Sequence, residues 1–389
     1  MVLPVREFSA EGYRSLRRIH YPMSRLDVFV GANGVGKSNL YRALELLHAA
    51  AANTLGANLA REQLALAMWA GPRKAGPARI RLSVGFSEPD RRETAYRYEV
   101  EIGFPPPGAA VLGFEPQIKT EALSLVGGRR PVRLMERDGG SVMARDADGR
   151  PVEIDIDLLA SETLLGRLQD PSRYPTLDLV RRTLLEWRFY HGLRTDPDSP
   201  LRRPCVAVAS PTLASDGSNL AAVFATLSDI RGDTIDLDRA INGAFPGAQL
   251  LPMVDRDASF SMTFPEFPKR EFQASELSDG TLRFLGLAGA LMAYRLPPFI
   301  ALNEPESSLH PDLMEPLAQM ILRAAQRTQV WLVTHSERLA KAIEGAGEGA
   351  VRTVVKHKGA TTIEGLTLFG AFQEEEVEEE EEEVEEDED

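Results

Sequence analysis

The chain of 389 residues holds a single cysteine, Cys205, so no intramolecular disulfide can form and no cysteine cluster can bind a metal. In "RRPCVAVAS" that cysteine reads as one more small apolar residue. Long apolar runs are missing as well. The longest, "FLGLAGALMAY" from Phe284 to Tyr294, falls well short of the ~20 residues that cross a bilayer. The opening "MVLPVREFSAEGYRSL" lacks the apolar centre of a secretion signal. These absences lead us to expect a soluble, cytoplasmic protein without a membrane partner. No apolar heptad persists for the roughly three or four repeats of a coiled coil, and no internal repeat is found. Hydrophobic residues nonetheless make up 43% of the chain, enough for two ordinary domains or for one large α/β domain with an insertion.

An excess of basic residues is the next thing missing. The formal charge of −14 comes from one segment: residues 374–389, "EEEVEEEEEEVEEDED", carry 14 carboxylates and no base. Without them 44 acids face 44 Lys plus Arg, so the body is formally neutral and has no overall signature of nucleic-acid binding. Local clusters (Arg129, Arg130 and Arg133; Arg181 and Arg182; Arg202 and Arg203) read more readily as solvated surface than as a DNA groove. The tail, residues 373–389, has no hydrophobic pattern and is expected to be a disordered, self-repelling coil.

Along the body, "REFSAEGYRSLRRIHYPMSRLDVFVG" reads as short strands ending in Leu26–Val30, followed by a glycine loop and a helix with Leu40, Ala43, Leu44 and Leu47 on one face. From Arg79 to about Asp157, β-rich runs punctuated by "FPPPG", "VGGRRP" and "RDGG" predict an antiparallel meander. Residues 158–245 read as mostly helical. The last third alternates a helix from Asp279 to about Arg295, a buried strand at 299–303, a helix from Pro311 to Arg327, the strand "VWLVTH", a helix from Ser336 and two closing strands.

Three stretches carry chemistry. Gly31-Ala32-Asn33-Gly34-Val35-Gly36-Lys37-Ser38 fits G-x-x-x-x-G-K-[ST], with Asn39 directly after it. Its glycines let backbone N–H groups converge on a phosphate at the positive end of the following helix. Lys37 is placed to reach the β- and γ-phosphates of ATP and Ser38 to bind Mg²⁺. In "FIALNEPE" a buried strand ends in Asn303 and Glu304, resembling a Walker B motif. Glu304 then falls at the water-activating position, and Asn303 replaces the usual Asp; its carbonyl can still hold Mg²⁺ or one of its waters, with less charge. In "SELSDGTLRF", Ser278, Asp279 and Gly280 resemble the signature motif of ABC-type ATPases, and a plain helix cap is the competing reading. Ser278 and Glu304 lie 26 residues apart, with a helix between them.

The ordered set "GYRSL…VGANGVGKSNL…LSDGT…LNEPESSLHP…THS" resembles SMC/RecF-like ABC-type ATPases, and most closely the stand-alone RecF-type predicted AAA ATPases of bacteria. The likeness covers both ends of the body; the middle third carries little that is diagnostic. It implies an α/β fold: a P-loop NTPase of the ABC/SMC head type, with a mixed sheet, an antiparallel β meander and a helical lobe. One ATPase domain would cover residues 1–372, with a core at about 1–85 and 274–372 and an inserted β and helical region at about 86–273. By the same resemblance Arg14 and Ser15 are candidates to contact nucleotide, His335 to sense the γ-phosphate, and "SSLHP" with His310 to form the loop crossing to a second subunit. The family's glutamine-loop residue stays open between Gln63 and Gln117.

The resemblance also implies that ATP and Mg²⁺ bind, and that Ser278 and Gly280 of one copy close over ATP held by another, giving a head-to-tail homodimer. Candidate further partners are DNA, in repair or phage defence, and a partner nuclease or effector protein. A nucleotide-gated module with slow or no hydrolysis is the alternative. The compact stretch between Lys37 and Ser278 has no room for the long arms of chromosome tethers. The 54 residues after His335 leave none for the nuclease domain of OLD-type relatives. The tail has two readings: a nucleic-acid mimic that occupies a basic surface, or a solubilising terminus. If it is a mimic, truncation after Gln373 raises DNA affinity at low salt; unchanged affinity in an electrophoretic titration eliminates that reading.

Overall fold

The computed structural model describes residues 2–373 except 73–75, 90, 92, 107, 109–111, 129, 232–233 and 348. The acidic tail from 374 onward and Arg129 lie outside the described residues. Strands β1 (Val5–Tyr13), β2 (Leu16–Pro22) and β3 (Leu26–Val30) lead into α1 (Lys37–Ala51), and the short α2 (Leu55–Arg61) and α3 (Leu64–Ala67) follow. Next come β4 (Ile80–Phe86), β5 (Tyr96–Gly103), β6 (Gln117–Leu125), β7 (Val132–Asp138), β8 (Ser141–Arg145) and β9 (Pro151–Glu153). The middle holds α4 (Leu164–Arg167), α5 (Pro175–Leu185), β10 (Arg188–Tyr190), β11 (Cys205–Val206), α6 (Leu220–Arg231), α7 (Ile235–Ala244), β12 (Gln249–Val254), β13 (Asp257–Thr263) and β14 (Glu271–Gln273). The last third runs α8 (Asp279–Met292), β15 (Phe299–Asn303), α9 (Met314–Ala325), β16 (Gln329–Thr334), α10 (Glu337–Glu344), β17 (Ala350–His357) and β18 (Ala360–Ile363).

Among the described residues these strands form three sheets. A six-stranded sheet, ordered β10-β15-β16-β3-β17-β18, is parallel except for the β17–β18 edge. Its inner strands are near-continuous apolar runs because both faces are covered. Side chains alternate between two cores. Phe29, Phe299, Ala301, Trp331 and Val333 face the first, with α1 and the meander; Leu26, Val28, Ile300, Leu302, Val330 and Leu332 face the second, with α8, α9 and α10. Phe29 and Trp331 stack across neighbouring strands with centroids 4.2 Å apart.

The meander, as expected, is antiparallel, but it belongs to a larger sheet than the sequence suggests. β4 pairs with β1 on one side and β5 on the other, making an eight-stranded sheet in the order β2-β1-β4-β5-β6-β7-β8-β9. The boundary drawn between residues 85 and 86 therefore falls inside β4, and the sheet runs across it. The Gln329 side-chain amide ties the two sheets, accepting from Val5 N at 2.7 Å and donating to Val5 O at 2.9 Å. Two parts went unread. β10 is only three residues long, too short for alternation to show. Of the small sheet in which β13 pairs with β11, β12 and β14, β11 falls in the stretch read as mostly helical and the others in residues 246–273, to which no elements were assigned. The helix expected from Pro311 opens with a 3₁₀ turn, Pro311–Leu313, before α9.

Glu121 joins the helical segment to the large sheet. Buried on β6, it accepts from Leu164 N at 2.6 Å, from Leu165 N at 2.9 Å and from the Tyr98 hydroxyl at 2.9 Å. Burial pushes its carboxyl above the usual range, against these bonds. Replacing it by alanine leaves two amides at the start of α4 without their acceptor. Glu121→Ala is expected to lower unfolding free energy by about 2–4 kcal/mol, and Glu121→Gln by clearly less, in equilibrium denaturant titration.

Candidate functional site

The carboxyl edge of the parallel sheet brings distant residues together. β3 ends at Val30 and runs into the glycine loop, β15 into Asn303 and Glu304, and β16 into His335. Asn303 pairs in register with Val333, and Thr334 with Val30, so the three strand ends lie side by side.

The glycine loop is braced from outside. Gly36 caps α1 at φ +101°, and a Cβ there would lie 2.0 Å from Thr361 Oγ1 and 2.4 Å from Ser15 Oγ. Gly34 has φ +79°. Both positions need the left-handed backbone that glycine adopts without strain. The crowding at Gly36 reflects a chain of hydrogen bonds. Asn39 Nδ2 donates to Ser15 Oγ at 2.7 Å, Ser15 Oγ lies 2.6 Å from Thr361 Oγ1, and Thr361 Oγ1 donates to Val35 O at 2.7 Å. Because the Thr361 hydroxyl proton goes to Val35, Ser15 is the donor to Thr361. Ser15 and Asn39 thus support the loop from behind. No side chain caps α1 and no acid occupies its first turn, whereas Ser278 caps α8 and Ser336 caps α10. Its N-terminal amides face the loop as an anion-binding cradle.

Lys37, Glu304 and His335 form one network. The Lys37 amine donates to Gly31 O at 2.5 Å and Ala32 O at 2.9 Å, and lies 3.0 Å from His335 Nδ1. Since an ammonium only donates, Nδ1 accepts, and His335 Nε2–H donates to Glu304 Oε1 at 2.6 Å. Burial draws the Lys37 amine below its usual value, with the Glu304 and Glu306 carboxylates acting against that fall. Glu304 takes φ +50°, a strained left-handed conformation for a side chain of this kind, held by its N–H to Val333 O at 2.7 Å and by Arg283 Nη2 to its own carbonyl at 3.3 Å. Glu306, unassigned in the sequence, fixes the histidine: its Oε1 accepts from Thr334 Oγ1 at 2.6 Å, His335 N at 2.7 Å and Ser336 N at 3.2 Å.

Asn303 Oδ1 is buried without a hydrogen-bond partner. A buried amide oxygen left in this way is what a hard cation or its water shell would satisfy. The Ser38 hydroxyl at the start of α1 is a second oxygen donor of the kind Mg²⁺ takes. No group of three or more His, Cys, Asp or Glu is placed to hold a metal ion among the described residues.

The signature segment forms the exposed N-terminus of α8. Ser278 Oγ accepts from Thr281 N at 3.2 Å, which is the helix-cap geometry. Arg202 clamps the segment, donating to Ser275 O at 3.0 Å, Leu277 O at 2.8 Å and Asp279 Oδ1 at 2.7 Å. A Cβ on Gly280 would sit 3.3 Å from Ser308 O, so the signature packs on the "SSLHP" turn, where Ser308 has φ +67°. His310 caps the 3₁₀ turn, accepting from Asp312 N at 3.3 Å. Arg14 is held at φ +48° and donates to Glu62 at 2.9 Å. Gln63 follows Glu62 between α2 and α3, and Gln117 on β6 accepts from Lys119 at 2.8 Å; neither stands on the strand ends of the edge. Arg182 pairs with Asp178, Arg203 with Asp198, and Arg133 with Glu99 and Glu136, in keeping with solvated surface; Arg181 departs from that reading, since its pair with Asp178 is largely buried. Glu306, Thr361 and Arg283 carried no local sequence signal, and Arg202, read there as part of a solvated basic cluster, is instead a largely buried clamp on the signature segment.

Against known families, the profile described as "AAA domain, putative AbiEii toxin, Type IV TA system" matches residues 28–121 and 170–340. The chain belongs to that family. Its fold is that of an SMC head. An Smc head bound to the C-winged helix domain of ScpA is 14% identical at a TM-score of 0.53, over 92% of this chain and 97% of that one. The Pyrococcus yayanosii Smc head domain, with a coiled coil and joint, is 12% identical at 0.52, over 95% and 98%. A Pyrococcus furiosus Smc head domain with an extended coiled coil, bound to the C-terminal domain of ScpA, is 14% identical at 0.51, over 95% and 97%. No curated protein matches. Family and fold together make this an AAA-family chain with the fold of an SMC head. No helix among the described residues of this AAA-family chain is long and apolar enough to cross a membrane.

The bracing chain yields a prediction. Thr361→Val removes a donor and an acceptor at nearly constant volume; it should cost about 1–3 kcal/mol of stability and weaken nucleotide binding. Ser15→Ala should lower melting temperature and affinity together. A loss of affinity with unchanged melting would instead assign Ser15 a direct ligand contact.

Proposed function

We propose that this chain binds ATP at the carboxyl edge of its parallel sheet and hydrolyses it, and that two copies close head to tail around two ATP molecules. The observation that carries the reading is the Lys37–His335–Glu304 network, in which one strained carboxylate, one histidine and the loop lysine meet at the end of the helix that starts the phosphate cradle. Residues 1–372 are the unit that carries it.

The loop amides of Gly31–Ser38 and the Lys37 amine would take the phosphates, the amine exchanging the Gly31 and Ala32 carbonyls for phosphate oxygens. Glu304 would accept a proton from the attacking water. His335 holds one of its oxygens, so the other is left for that water. Ser38 and Asn303 would hold Mg²⁺, which supplies positive charge against the phosphates. The exposed Ser278 and Gly280 would close over the terminal phosphate in the second copy, with Arg202 keeping Asp279 and the segment in place. This two-fold arrangement buries the same surface on both copies.

DNA is the substrate-like partner we favour for the ATP-closed dimer, in repair or in defence; the toxin–antitoxin wording attached to the family supports the defence branch. A second reading has its own support. Asn303 brings no charge to the metal, and Arg181, Arg182 and Arg203 are paired with carboxylates, which suits a nucleotide-gated module that hydrolyses slowly and controls a partner protein.

The test is ATP turnover with and without DNA, beside Glu304→Gln, with dimerisation followed by light scattering. DNA-stimulated turnover that falls at least ~100-fold in the variant, while its ATP-bound dimer persists, supports the first reading. ATP-induced dimers with negligible turnover support the second. A Lys37→Ala variant that binds ATP as well as the parent would sink both.

A further inference from the structure

On the eight-stranded sheet arginines are matched by acids: Arg81 with Glu11 and Glu101, Arg97 with Glu7, Arg133 with Glu99 and Glu136. One corner breaks that rule. Arg17 and Arg18 lie at the start of β2, and Lys356 and Lys358 at the tip of the β17–β18 hairpin. All four are exposed, and among the described residues none has a side-chain hydrogen bond or an ion pair. Thr361, opposite Lys356 in the hairpin, donates its N–H to Ser15 O at 2.8 Å, which sets the hairpin beside the start of β2. Neither segment carries an acid: residues 12–26 and 350–363 contain no Asp or Glu. Glu11 stands opposite Arg18 on β1, but Arg81 takes it at 3.2 Å. A formally neutral body thus gathers uncompensated positive charge next to the Ser15–Thr361 brace of the glycine loop.

The chain returns to this corner at its end. After β18 it turns back on itself, with Thr367 N donating to Ala371 O at 2.8 Å and Gln373 N to Gly365 O at 2.8 Å. The Arg352 guanidinium carbon lies 3.7 Å from the centroid of the Phe372 ring, and that ring meets Tyr21 of β2 edge to face at 6.0 Å. Gly370, at φ +81°, packs so closely on His20 that a Cβ would lie 2.1 Å from its ring. These contacts pin Gln373 beside β2 and β18, directly before the 14 carboxylates of residues 374–389. The hairpin is four residue pairs deep, so its tip lies about 15 Å from that anchor. Residues 374–389 can span up to about 50 Å. A tether this short holds their carboxylates near the corner at an effective concentration of about 1 mM or more. Single exposed ion pairs are weak, but many carboxylates on a short tether facing four fixed cations act together.

We propose that the acidic segment 374–389 docks in cis on the corner formed by Arg17, Arg18, Lys356 and Lys358 and shields it from polyanions in solution. The inference goes beyond the nucleotide reading and stands whether or not ATP binds. Of the two readings of the tail it selects the nucleic-acid mimic and gives it a surface. An anionic partner that reaches this corner has to displace the tail first.

The test is zero-length carbodiimide cross-linking of the full chain at low salt, read by peptide mass spectrometry, which joins a lysine amine only to a carboxylate in contact with it. Links from residues 374–389 are expected at Lys356 and Lys358, and at least about fivefold less often at the exposed Lys269 and Lys341. Raising NaCl to about 0.5 M should cut the yield at the corner about fivefold. A double variant, Arg17→Gln with Arg18→Gln, keeps both lysines and should lower the same links about threefold; an unchanged melting temperature shows that it is folded. Links spread evenly over all exposed lysines, or insensitive to salt, would overturn the proposal. So would links found only between copies when isotope-labelled and unlabelled chains are mixed, because the contact is then in trans. An unlinked tail, beside a double variant that loses affinity for duplex DNA, would assign the corner to nucleic acid instead.

Discussion

Parallel pairing of β10, β15, β16 and β3 is the constraint on which the rest of the molecule depends. Backbone hydrogen bonds set the register, and burial of alternate side chains in two separate cores keeps each strand from slipping by one residue. A one-residue slip would send Trp331 and Phe29 into the wrong core. With register held, the strand ends are held too. Lys37 and His335 stand 298 residues apart in the chain yet lie 3.0 Å apart, and His335 reaches Glu304 at 2.6 Å. The site is thus a by-product of how the sheet is buried, in line with ligand binding at the carboxyl ends of open parallel sheets.

Around that edge the protein spends polar groups on positioning. Glu306 makes three bonds to the segment that carries His335. Thr361 reaches across from the last strand to hold Val35 and, through Ser15, Asn39. Arg202 and Arg283 bind backbone carbonyls on either side of the signature helix, one near its start and the other at Glu304. The strain at Glu304 persists because these neighbours over-determine its backbone. Such preorganisation suits a site whose task is to orient phosphates and a water rather than to supply new covalent chemistry.

Much of the frame was legible in residues. The apolar runs "LDVFV", "FIALN" and "VWLVTH" are buried on both faces and so read as strands without alternation, and the structure places them at Leu26–Val30, Phe299–Asn303 and Gln329–Thr334. The helix after the glycine loop was plain from its 3.6-residue spacing. Three-residue β10 was not legible, because tertiary pairing alone makes it a strand. The same holds for β14 and β11. Where the meander joins the N-terminal hairpin was hidden too, since each strand edge looks alike in sequence and only contact between β1 and β4 decides the pairing.

By itself the sequence determined the phosphate-loop type, the order of the motifs and the asymmetry that puts the acidity into one terminal segment. Those follow from local rules: glycines where the backbone must turn left-handed or approach closely, periodicity where one face is buried, and charge simply counted. Only the tertiary structure decided which side chains support the loop. Ser15 and Asn39 brace the loop because Thr361, on the far strand, accepts the Ser15 proton. The same structure paired Lys37 with His335. The physical reason is common to all of these. A hydrogen bond depends on distance and direction between groups, and those are fixed by sheet register and core packing, which couple residues that no local pattern connects.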